Sequence, residues 1–253
     1  MTGGVGDVDT GGDAAGVLAD LHAAADAVAS ALAGHADWGP SGNRPDQYAS
    51  DVVADEAVRS VLLPLGYGLL SEESEVVAPA EGRPTVVVDP LDGSTNAFRG
   101  IPHFAASLCA VDGDGPLAAV VVNLASGVRY EAARGSGARR DGVELRRVAL
   151  PPLAEAIVGV SGLPAENPGW AQFRCLGAAA LDLCAVADGT LDGYLDCVTD
   201  AHGVWDYLAA VLVCAEAGVE VVDAEGRDLC VLDRSARRTP VAGVARSLPG
   251  VRR

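Results

Sequence analysis

Hydrophobic residues near the start of the chain recur with the spacing of amphipathic helices. Five of them are separated alternately by three and four positions, the period of one helix face: Leu18, Leu21, Ala25, Val28 and Leu32. A loop rich in Gly, Pro, Asn and Ser follows at 39–45, and the apolar spacing then predicts a second helix from about 49 to 63. Pro64 and Gly66 are expected to end that helix.

From residue 86 onward the pattern changes to short apolar runs that are typical of strands. The run Val86-Val87-Val88 leads directly into Asp89-Pro90, which predicts a buried strand with polar residues at its end. Further strands are expected at about 104–111, 117–124, 127–133, 156–160, 191–196, 219–223 and 228–231, and helices at about 177–187 and 203–217. These elements predict an α/β (α+β) fold in which mixed sheets are layered with helices.

The elements divide the chain into two predicted halves. Pro151-Pro152 marks the boundary between an N-terminal α+β half at 13–150 and a C-terminal α/β half at 151–253. Residues 1–12 are rich in Gly and Asp, so a flexible N-terminal tail is expected there.

The charge of the chain excludes several classes of protein. The 253 residues carry 35 acidic and 18 basic side chains, and the net charge is −17; every basic residue is arginine because lysine is absent. The absence of lysine excludes Schiff-base, P-loop and protein-kinase lysine chemistry. A net charge this negative repels the phosphates of nucleic acids, and we therefore expect no nucleic acid partner. An anionic substrate would need a divalent cation to reverse the local field.

Membrane and secretory features are not expected from the sequence. No apolar run reaches the ~18 residues of a membrane-spanning helix, and residues 1–13 contain neither a basic nor an apolar segment of a secretory signal. The six cysteines form no CxxC pair, which favours buried thiols in a reducing compartment. We therefore expect a cytoplasmic protein with no membrane partner.

Three acidic segments lie beside predicted strand ends and helix starts, at 71–74, 89–96 and 205–210. In the second segment, Asp89 and Asp92 are three positions apart across a turn constrained by Pro90, so both carboxylates can point to one spot. Two adjacent carboxylates repel each other unless a cation lies between them. A ligand set made only of oxygen atoms favours Mg²⁺ over Zn²⁺.

The residues after Asp92 have the features of a phosphate cradle. Gly93 allows a close approach of the backbone to a ligand, and Ser94-Thr95-Asn96 can begin a short helix whose free N–H groups face an anion. Alone, the same stretch is also compatible with an ordinary Asx-rich turn after a strand.

The other two acidic segments also have structural explanations when taken singly. Glu72 and Glu73 would be an exposed acidic turn, and Asp206 would be the N-cap of a helix. The occurrence of all three segments in this order favours a functional site.

In these motifs the sequence resembles the inositol monophosphatase family of magnesium-dependent, lithium-sensitive phosphatases. The family hallmarks are a Glu-Glu turn, a D-P-[IL]-D-G-[ST]-[ST]-N motif and a W-D-x-A-A helix start. All three occur here in family order, and the flanking elements fit from about residue 13 to about residue 245. The resemblance implies a layered α-β-α-β-α sandwich of the type shared with fructose bisphosphatases, and a homodimer.

The resemblance implies two to three Mg²⁺ ions at the site. Glu72, Asp89 and the backbone carbonyl of Leu91 would hold the first ion. Asp89, Asp92 and Asp206 would hold the second. A third, looser ion would be placed with the help of Asp51, which pairs with the Ser94 hydroxyl; the implied metal and proton-transfer residues are thus Glu72, Asp89, Leu91, Asp92, Asp206, Asp51 and Ser94.

The resemblance also implies substrate-binding residues. Asp92, Asp206 and the N–H groups of Gly93 and Ser94 would contact the phosphorylated substrate, and the remaining contacts would come from Gly177, Ala178, Ala179 and Asp196. Two structural alternatives remain open for that last group. In these alternatives, Gly177, Ala178 and Ala179 serve only close packing of a helix, and Asp196 is only an acid at the end of a strand. Ala178 replaces a common hydroxyl residue of the family, and Asp196 is one methylene shorter than the glutamate of inositol phosphatases. Arg44 is a candidate for the basic residue before the upstream acid.

The loop at 197–204 is longer than in the shortest family members. His202 lies in this loop; it is interpreted as an exposed loop residue, and a contact with the substrate is the alternative. His103 is interpreted as structural.

The resemblance implies hydrolysis of a phosphomonoester by direct attack of a metal-activated water on a small hydroxylated metabolite phosphate. Inositol phosphate, sugar phosphate, histidinol phosphate and nucleoside phosphate remain open as substrates. The alternative is a non-catalytic or regulatory family member that acts through a protein partner.

Overall fold

The computed structural model of the chain describes residues 10–146 and 149–248. Five α-helices are found in this part of the chain: α1 (Thr10–Ala33), α2 (Ala49–Leu62), α3 (Ser94–Arg99), α4 (Ala179–Ala187) and α5 (Val204–Glu216). The strands there are β1 (Gly68–Ser71), β2 (Thr85–Asp92), β3 (Ala105–Asp112), β4 (Gly115–Asn123), β5 (Arg129–Ala133), β6 (Ala138–Arg140), β7 (Val143–Glu144), β8 (Ile157–Ser161), β9 (Gln172–Arg174), β10 (Gly193–Asp196), β11 (Val221–Asp223) and β12 (Pro240–Gly243).

The first seven strands form one sheet in the order of the sequence, β1 to β7. Only the β1–β2 pair of this sheet is parallel, and its other neighbouring strands pair antiparallel. Successive residues of β2 face opposite sides: Val86 and Val88 pack beneath α1 and α2, whereas Val87 packs on the other face. The predicted strand at the 86–88 run is therefore buried on both faces.

The remaining strands form a second sheet in the order β11-β12-β10-β8-β9. Helix α5 packs against the first sheet and α4 packs against the second, and both helices contribute to the core between the sheets. The outer face of the second sheet is covered by Trp170 and by short 3-10 turns at Leu153–Glu155 and Val244–Ser247. The predicted α/β (α+β) layered sandwich is confirmed.

One predicted strand of the C-terminal half is wrong. Residues 228–231 lie in no strand, because the Asp228 carboxylate accepts the N–H of Cys230 at 2.9 Å and turns the chain. The fifth strand of the second sheet is instead β12, between β10 and β11.

The first helix extends into the predicted N-terminal tail. Residues 1–9 of that tail lie outside the described residues, and its last three residues begin α1 at Thr10. The segment Ala14–Ala33 of α1 is long and apolar enough to cross a membrane by length and composition alone. Leu21 and Val28 on this segment are fully buried against α2 and the first sheet, as in the core helix of a globular protein.

Candidate active site

Four acidic residues converge where β1 and β2 end and α5 begins. Glu72 directly follows β1, and the parallel pairing of Ser71 with Val88 places it beside Asp89. Glu72, Asp89 and Asp206 each offer a carboxylate oxygen, and these oxygens lie within 4.8 Å of one another. Asp92, at the end of β2, is buried next to them.

Backbone N–H groups hold the carboxylates in place. The β2–β3 pairing is irregular between Asp89 and Asp92, where the Leu91 N–H donates to Asp89 Oδ1 at 3.0 Å. The N–H of Ala180, in the first turn of α4, donates to Asp92 Oδ2 at 2.9 Å. The Gly203 N–H donates to Asp206 Oδ2 at 2.7 Å at the start of α5. The N-cap of α5 is Gly203, so the interpretation of Asp206 as the N-cap is wrong: Asp206 is the third residue of the helix, accepts the N–H of the N-cap and joins the cluster.

Without a bound cation, the ionised forms of these carboxylates are unfavourable. Burial, reinforced by Asp206, raises the pKa of Glu72 to about 8 and that of Asp92 to about 8. Burial and the charge of Glu72 raise the pKa of Asp89 well above its usual range. Burial raises the pKa of Asp206 to about 6, against the opposing charge of His202. Closely placed, buried oxygen ligands of one charge fit a hard divalent cation, which removes their repulsion.

Asp51 and Ser94 lie beside the cluster. The Tyr48 N–H donates to Asp51 Oδ2 at 2.8 Å, while Asp51 Oδ1 is buried without a hydrogen-bond partner among the described residues. Burial raises the pKa of Asp51 to about 7, and the neighbouring Ser94 hydroxyl opposes this shift. An unpartnered buried carboxylate oxygen next to a hydroxyl is suited to accept a proton or to bind a cation.

Arginine side chains border the site on the Glu72 side. The Arg44 guanidinium pairs with Glu73 at 2.5 Å and donates to the Glu72 carbonyl at 3.3 Å. Arg234, which follows Glu72 by 162 residues in the sequence, donates to the same carbonyl at 2.7 Å. Arg44, the sequence candidate for the basic residue before Asp51, thus lies beside Glu72 and Glu73, whereas Arg234 carried no signal in the sequence.

The short helix α3 is held against the start of α4. The Asn96 amide donates to the carbonyls of His103 and Leu176 at 2.7 Å each. This contact places Gly177 and Ala178 beside Gly93, whose φ of 83° is left-handed. A Cβ on Gly93 would lie 3.0 Å from the Gly177 carbonyl oxygen and 3.2 Å from Ala178 Cβ. The glycine is therefore required by both its dihedral angle and its close approach.

We expect Gly93→Ala to lower the free energy of unfolding by about 2 to 3 kcal/mol, because it combines left-handed strain with a steric contact. Gly127→Ala is the matched control, since Gly127 has a φ of 80° and nothing within 4 Å of its added Cβ. The control is expected to lose only about 1 kcal/mol. Urea unfolding measures both values, and equal losses would contradict the contact.

A cavity of about 290 Å³ opens beside Asp92 and Asp206. Its wall contains the predicted substrate residues Gly177, Ala178 and Ala179. The same wall includes His202, for which the sequence left a substrate contact as the alternative, and residues that the sequence did not single out: Val160, Ser161, Asp182, Tyr194 and Ala201. The cavity is therefore positioned to hold whatever group is bonded to an anion at the cluster.

Asp196 is placed differently from its expected role as a direct substrate contact. It does not line the cavity and its side chain is fully buried; its Oδ1 accepts the Val198 N–H at 3.0 Å and its Oδ2 accepts His202 Nδ1 at 2.6 Å. His202, interpreted from sequence as an exposed loop residue, has a side chain only 12% exposed and faces the cavity. His103 pairs with Asp182 at 2.9 Å.

Comparison with known proteins agrees with this geometry. A sequence profile of the inositol monophosphatase family matches residues 46–246. An inositol-1-monophosphatase of Rhizobium meliloti is 37% identical over 202 residues, covering 72% of this chain and 74% of the relative. A fructose-1,6-bisphosphatase/inositol-1-monophosphatase of Thermococcus kodakarensis is 36% identical over 200 residues, covering 77% and 76%. The crystal structure of the extragenic suppressor protein suhB from Bartonella henselae superimposes with a TM-score of 0.76 at 29% identity, covering 90% and 93% of the two chains.

Proposed function

The chain belongs to the inositol monophosphatase family of phosphoric monoester hydrolases, and we propose that it is a Mg²⁺-dependent phosphomonoesterase. Its substrate would be a small hydroxylated metabolite phosphate. The observation that carries the proposal is the cluster of half-buried Glu72, buried Asp89 and half-buried Asp206, together with the cavity that Asp206 and Asp92 line.

The residues present fit two to three Mg²⁺ ions. Glu72, Asp89 and the Leu91 carbonyl would hold one ion, and Asp89, Asp92 and Asp206 would hold another. Asp51 would help to place a third, looser ion with its unpartnered Oδ1. Bound Mg²⁺ supplies positive charge that neutralises the phosphate and the leaving group and makes a water molecule a better nucleophile.

The chain's own groups would orient the reactants. The N–H groups of Gly93 and Ser94 would bind phosphate oxygens, because the first N–H groups of α3 have no partner within the helix. The Glu72 carboxylate and the Ser94–Asp51 pair would orient the attacking water and accept its proton. Asp51 suits this task because burial raises its pKa to about 7, close to a neutral working pH. No covalent phosphoenzyme is required.

The cavity beside Asp92 and Asp206 would hold the alcohol part of the substrate. Its volume of about 290 Å³ suits a small metabolite. Inositol, sugar, histidinol and nucleoside phosphates are the substrate classes that we propose to compare.

Phosphate release from a metabolite panel tests the proposal. The panel contains inositol 1-phosphate, histidinol phosphate, fructose 1,6-bisphosphate, sugar 1-phosphates and nucleoside monophosphates, each with Mg²⁺ at neutral pH. We expect one class to be hydrolysed at least about tenfold faster than the others, because binding groups in a small cavity discriminate between alcohols. Folded, Mg²⁺-bound protein that releases phosphate from no member would contradict the proposed activity.

Location and assembly are part of the proposal. We propose a cytoplasmic homodimer that binds neither nucleic acid nor membrane, in agreement with a net charge of −17. Phe98 and Ile101, 40% and 47% exposed, offer apolar surface for a second copy.

A regulatory role through a protein partner is the second candidate. It is supported by the similarity to the extragenic suppressor protein suhB of Bartonella henselae. The complete carboxylate cluster favours catalysis. A stable complex in pull-downs without hydrolysis of any phosphoester would favour the partner role.

A further inference from the structure

A second cavity, of about 480 Å³, lies on a different face of α4 from the active site. Leu181 and Ala185 of α4 line this second cavity, whereas Ala179 and Asp182 of the same helix line the active-site cavity. The other walls come from β5, β6, the β4–β5 turn, β8 and β9. Among the described residues, the two cavities share no lining residue, so the second is a separate space. Its volume is typical of a site for a small ligand.

The charged side chains of this lining are basic. We call the space the arginine cavity after Arg140 and Arg174, which line it together with His103. No described residue of the lining is acidic, although the chain as a whole has 35 acidic and only 18 basic side chains. A local excess of positive charge in so acidic a protein favours an anionic ligand.

Both arginines have N–H donors to offer. Arg174 forms no ion pair with a described carboxylate; its guanidinium donates to the Phe173 carbonyl at 2.8 Å and to Gln172 Oε1 at 2.9 Å. Arg140 pairs at 2.6 Å with Asp188, whose side chain is 4% exposed and lies outside the lining. A guanidinium has five N–H donors, so Arg140 is anchored by Asp188 and still has donors for a ligand.

Two uncharged donors of the lining are also free. Asn123 Oδ1 accepts the N–H groups of Ala125 and Ser126 at 3.0 Å each, so its amide nitrogen is the end without a described partner. Thr190 donates its N–H to Asp188 at 2.9 Å, and its hydroxyl has no partner in the described part of the chain. Donors that converge on one space fit an oxyanion, which accepts several hydrogen bonds at once.

The rest of the lining is mainly apolar. Tyr130, Leu181 and Leu191 line the cavity and are each at most 6% exposed. Ile157 and Leu176 extend this surface. Covering it with an apolar group removes water from these side chains, which is favourable. The arginine cavity therefore suits an anion that carries an aromatic or aliphatic body.

A hydrogen-bonded pair joins the arginine cavity to the active site. His103 lines the arginine cavity, and its Nε2 lies 2.9 Å from Oδ1 of Asp182, which lines the active-site cavity. Leu176, also in the lining, accepts a hydrogen bond from Asn96 of α3 through its carbonyl. A ligand in the arginine cavity would thus lie against two residues that are bonded to elements of the active site.

We propose that the arginine cavity binds a small organic anion at a site separate from the active site. Its oxyanion group, a carboxylate or a phosphate, meets Arg140 and Arg174, and its aromatic or aliphatic body covers the apolar part of the lining. This inference goes beyond the proposed phosphomonoesterase function and does not depend on it.

Calorimetric titration of the Mg²⁺-loaded protein tests the proposal with three probes that share a phenyl ring. Benzoate is the carboxylate, phenylphosphonate is a phosphate mimic that a phosphatase does not hydrolyse, and benzamide is the uncharged match of benzoate. We expect at least one of the two anions to bind with a dissociation constant of about 1 mM or lower. Benzamide is expected to bind at least about tenfold more weakly, because it forms no charge-assisted hydrogen bonds through an oxyanion.

Four variants locate the bound anion. Arg174→Gln, at an exposed position, is expected to weaken binding at least about tenfold, and Ala185→Leu, which fills part of the cavity, at least about threefold. Arg139→Gln is the matched control, since it makes the same change of charge on the face of β6 opposite Arg140. Asp89→Asn alters the carboxylate cluster alone. Both controls are expected to bind within about twofold of the wild type.

The outcomes distinguish the arginine cavity from the ion cluster. Binding of benzoate, of phenylphosphonate or of both that is weakened in Arg174→Gln and kept in Asp89→Asn supports the proposal and identifies the oxyanion class. Failure of both anions to bind, or binding of benzamide as tight as that of benzoate, would overturn it. Binding that survives in Arg174→Gln, or that either control weakens equally, would also overturn it. The titration requires no turnover, so its result is independent of whether the protein releases phosphate.

Discussion

Asp89→Asn is expected to reduce phosphate release on the order of 1,000-fold while the protein still folds. Asp89 contributes to both proposed ion sites, so its loss weakens both at once. Asparagine keeps an oxygen that can accept the Leu91 N–H, and it removes one charge from a buried cluster of acids. The metal-free variant is therefore expected to melt at a higher temperature than the metal-free wild type.

Asp114→Asn is the matched control for this variant. It makes the same chemical change on a side chain that is 90% exposed, and we expect it to keep the wild-type rate and melting temperature. Steady-state phosphate release and thermal melting in EDTA measure the two effects. A rate for Asp89→Asn close to that of wild type would contradict its assignment as a metal ligand.

The metal-free protein is expected to lose stability as the pH rises from about 5 to about 8. Folding raises the pKa of Glu72 and of Asp92 to about 8, so the folded state holds these protons more tightly than the unfolded state. Their contribution to stability is complete below the unfolded pKa near 4 and is lost as the pH rises through about 8. The melting temperature should fall on the order of 10 °C across this window.

Bound Mg²⁺ should remove most of that loss, because it favours the ionised carboxylates and binds only the folded state. The measurement is a series of melting curves from pH 5 to pH 8 with EDTA or with millimolar Mg²⁺. Asp92→Asn should flatten the EDTA series, since it removes one of the two groups. A wild-type melting temperature that rises with pH in EDTA would contradict the electrostatic account of the cluster.

Local sequence indicated two neighbouring carboxylates and an anion-binding turn at 89–96, and the family resemblance added Glu72 and Asp206 to them. The 89–96 motif places its acids at the end of β2, the left-handed Gly93 directly after them and Ser94 at the start of α3. The β-branched run before it is enough to make β2 a buried strand, and Glu72 reaches Asp89 because β1 pairs beside β2. Only the geometry within 89–96 is local; Glu72 reaches the motif through strand pairing and Asp206 through the packing of α5.

The wall of the cavity was not predictable in the same way. His202 was interpreted as exposed, and it is buried because its loop pairs with Arg238, 36 residues further along the chain. That anchor requires the segment after β11 to run past the loop, and no local pattern encodes this path. The strand predicted at 228–231 is wrong for a local reason, because the Asp228 carboxylate accepts the Cys230 N–H and turns the chain.

A net charge of −17 does not conflict with an anionic substrate in this structure. Arg44 and Arg234 both donate to the Glu72 carbonyl, and His202 faces the cavity. These cationic or polar groups lie around the carboxylate cluster, while the cluster itself is suited to cations. The field that an incoming phosphate meets is therefore set by the ions bound at the cluster.

Adding Mg²⁺ back to the EDTA-treated protein tests the central claim most directly. Phosphate release from inositol 1-phosphate and from p-nitrophenyl phosphate is followed as Mg²⁺ rises, and Mg²⁺ binding is measured by calorimetry on the same sample. We expect no release in EDTA and a rate that rises with occupancy of the ion sites. Full activity after rigorous chelation, or Mg²⁺ binding that leaves both compounds intact, would contradict a metal-dependent phosphomonoesterase.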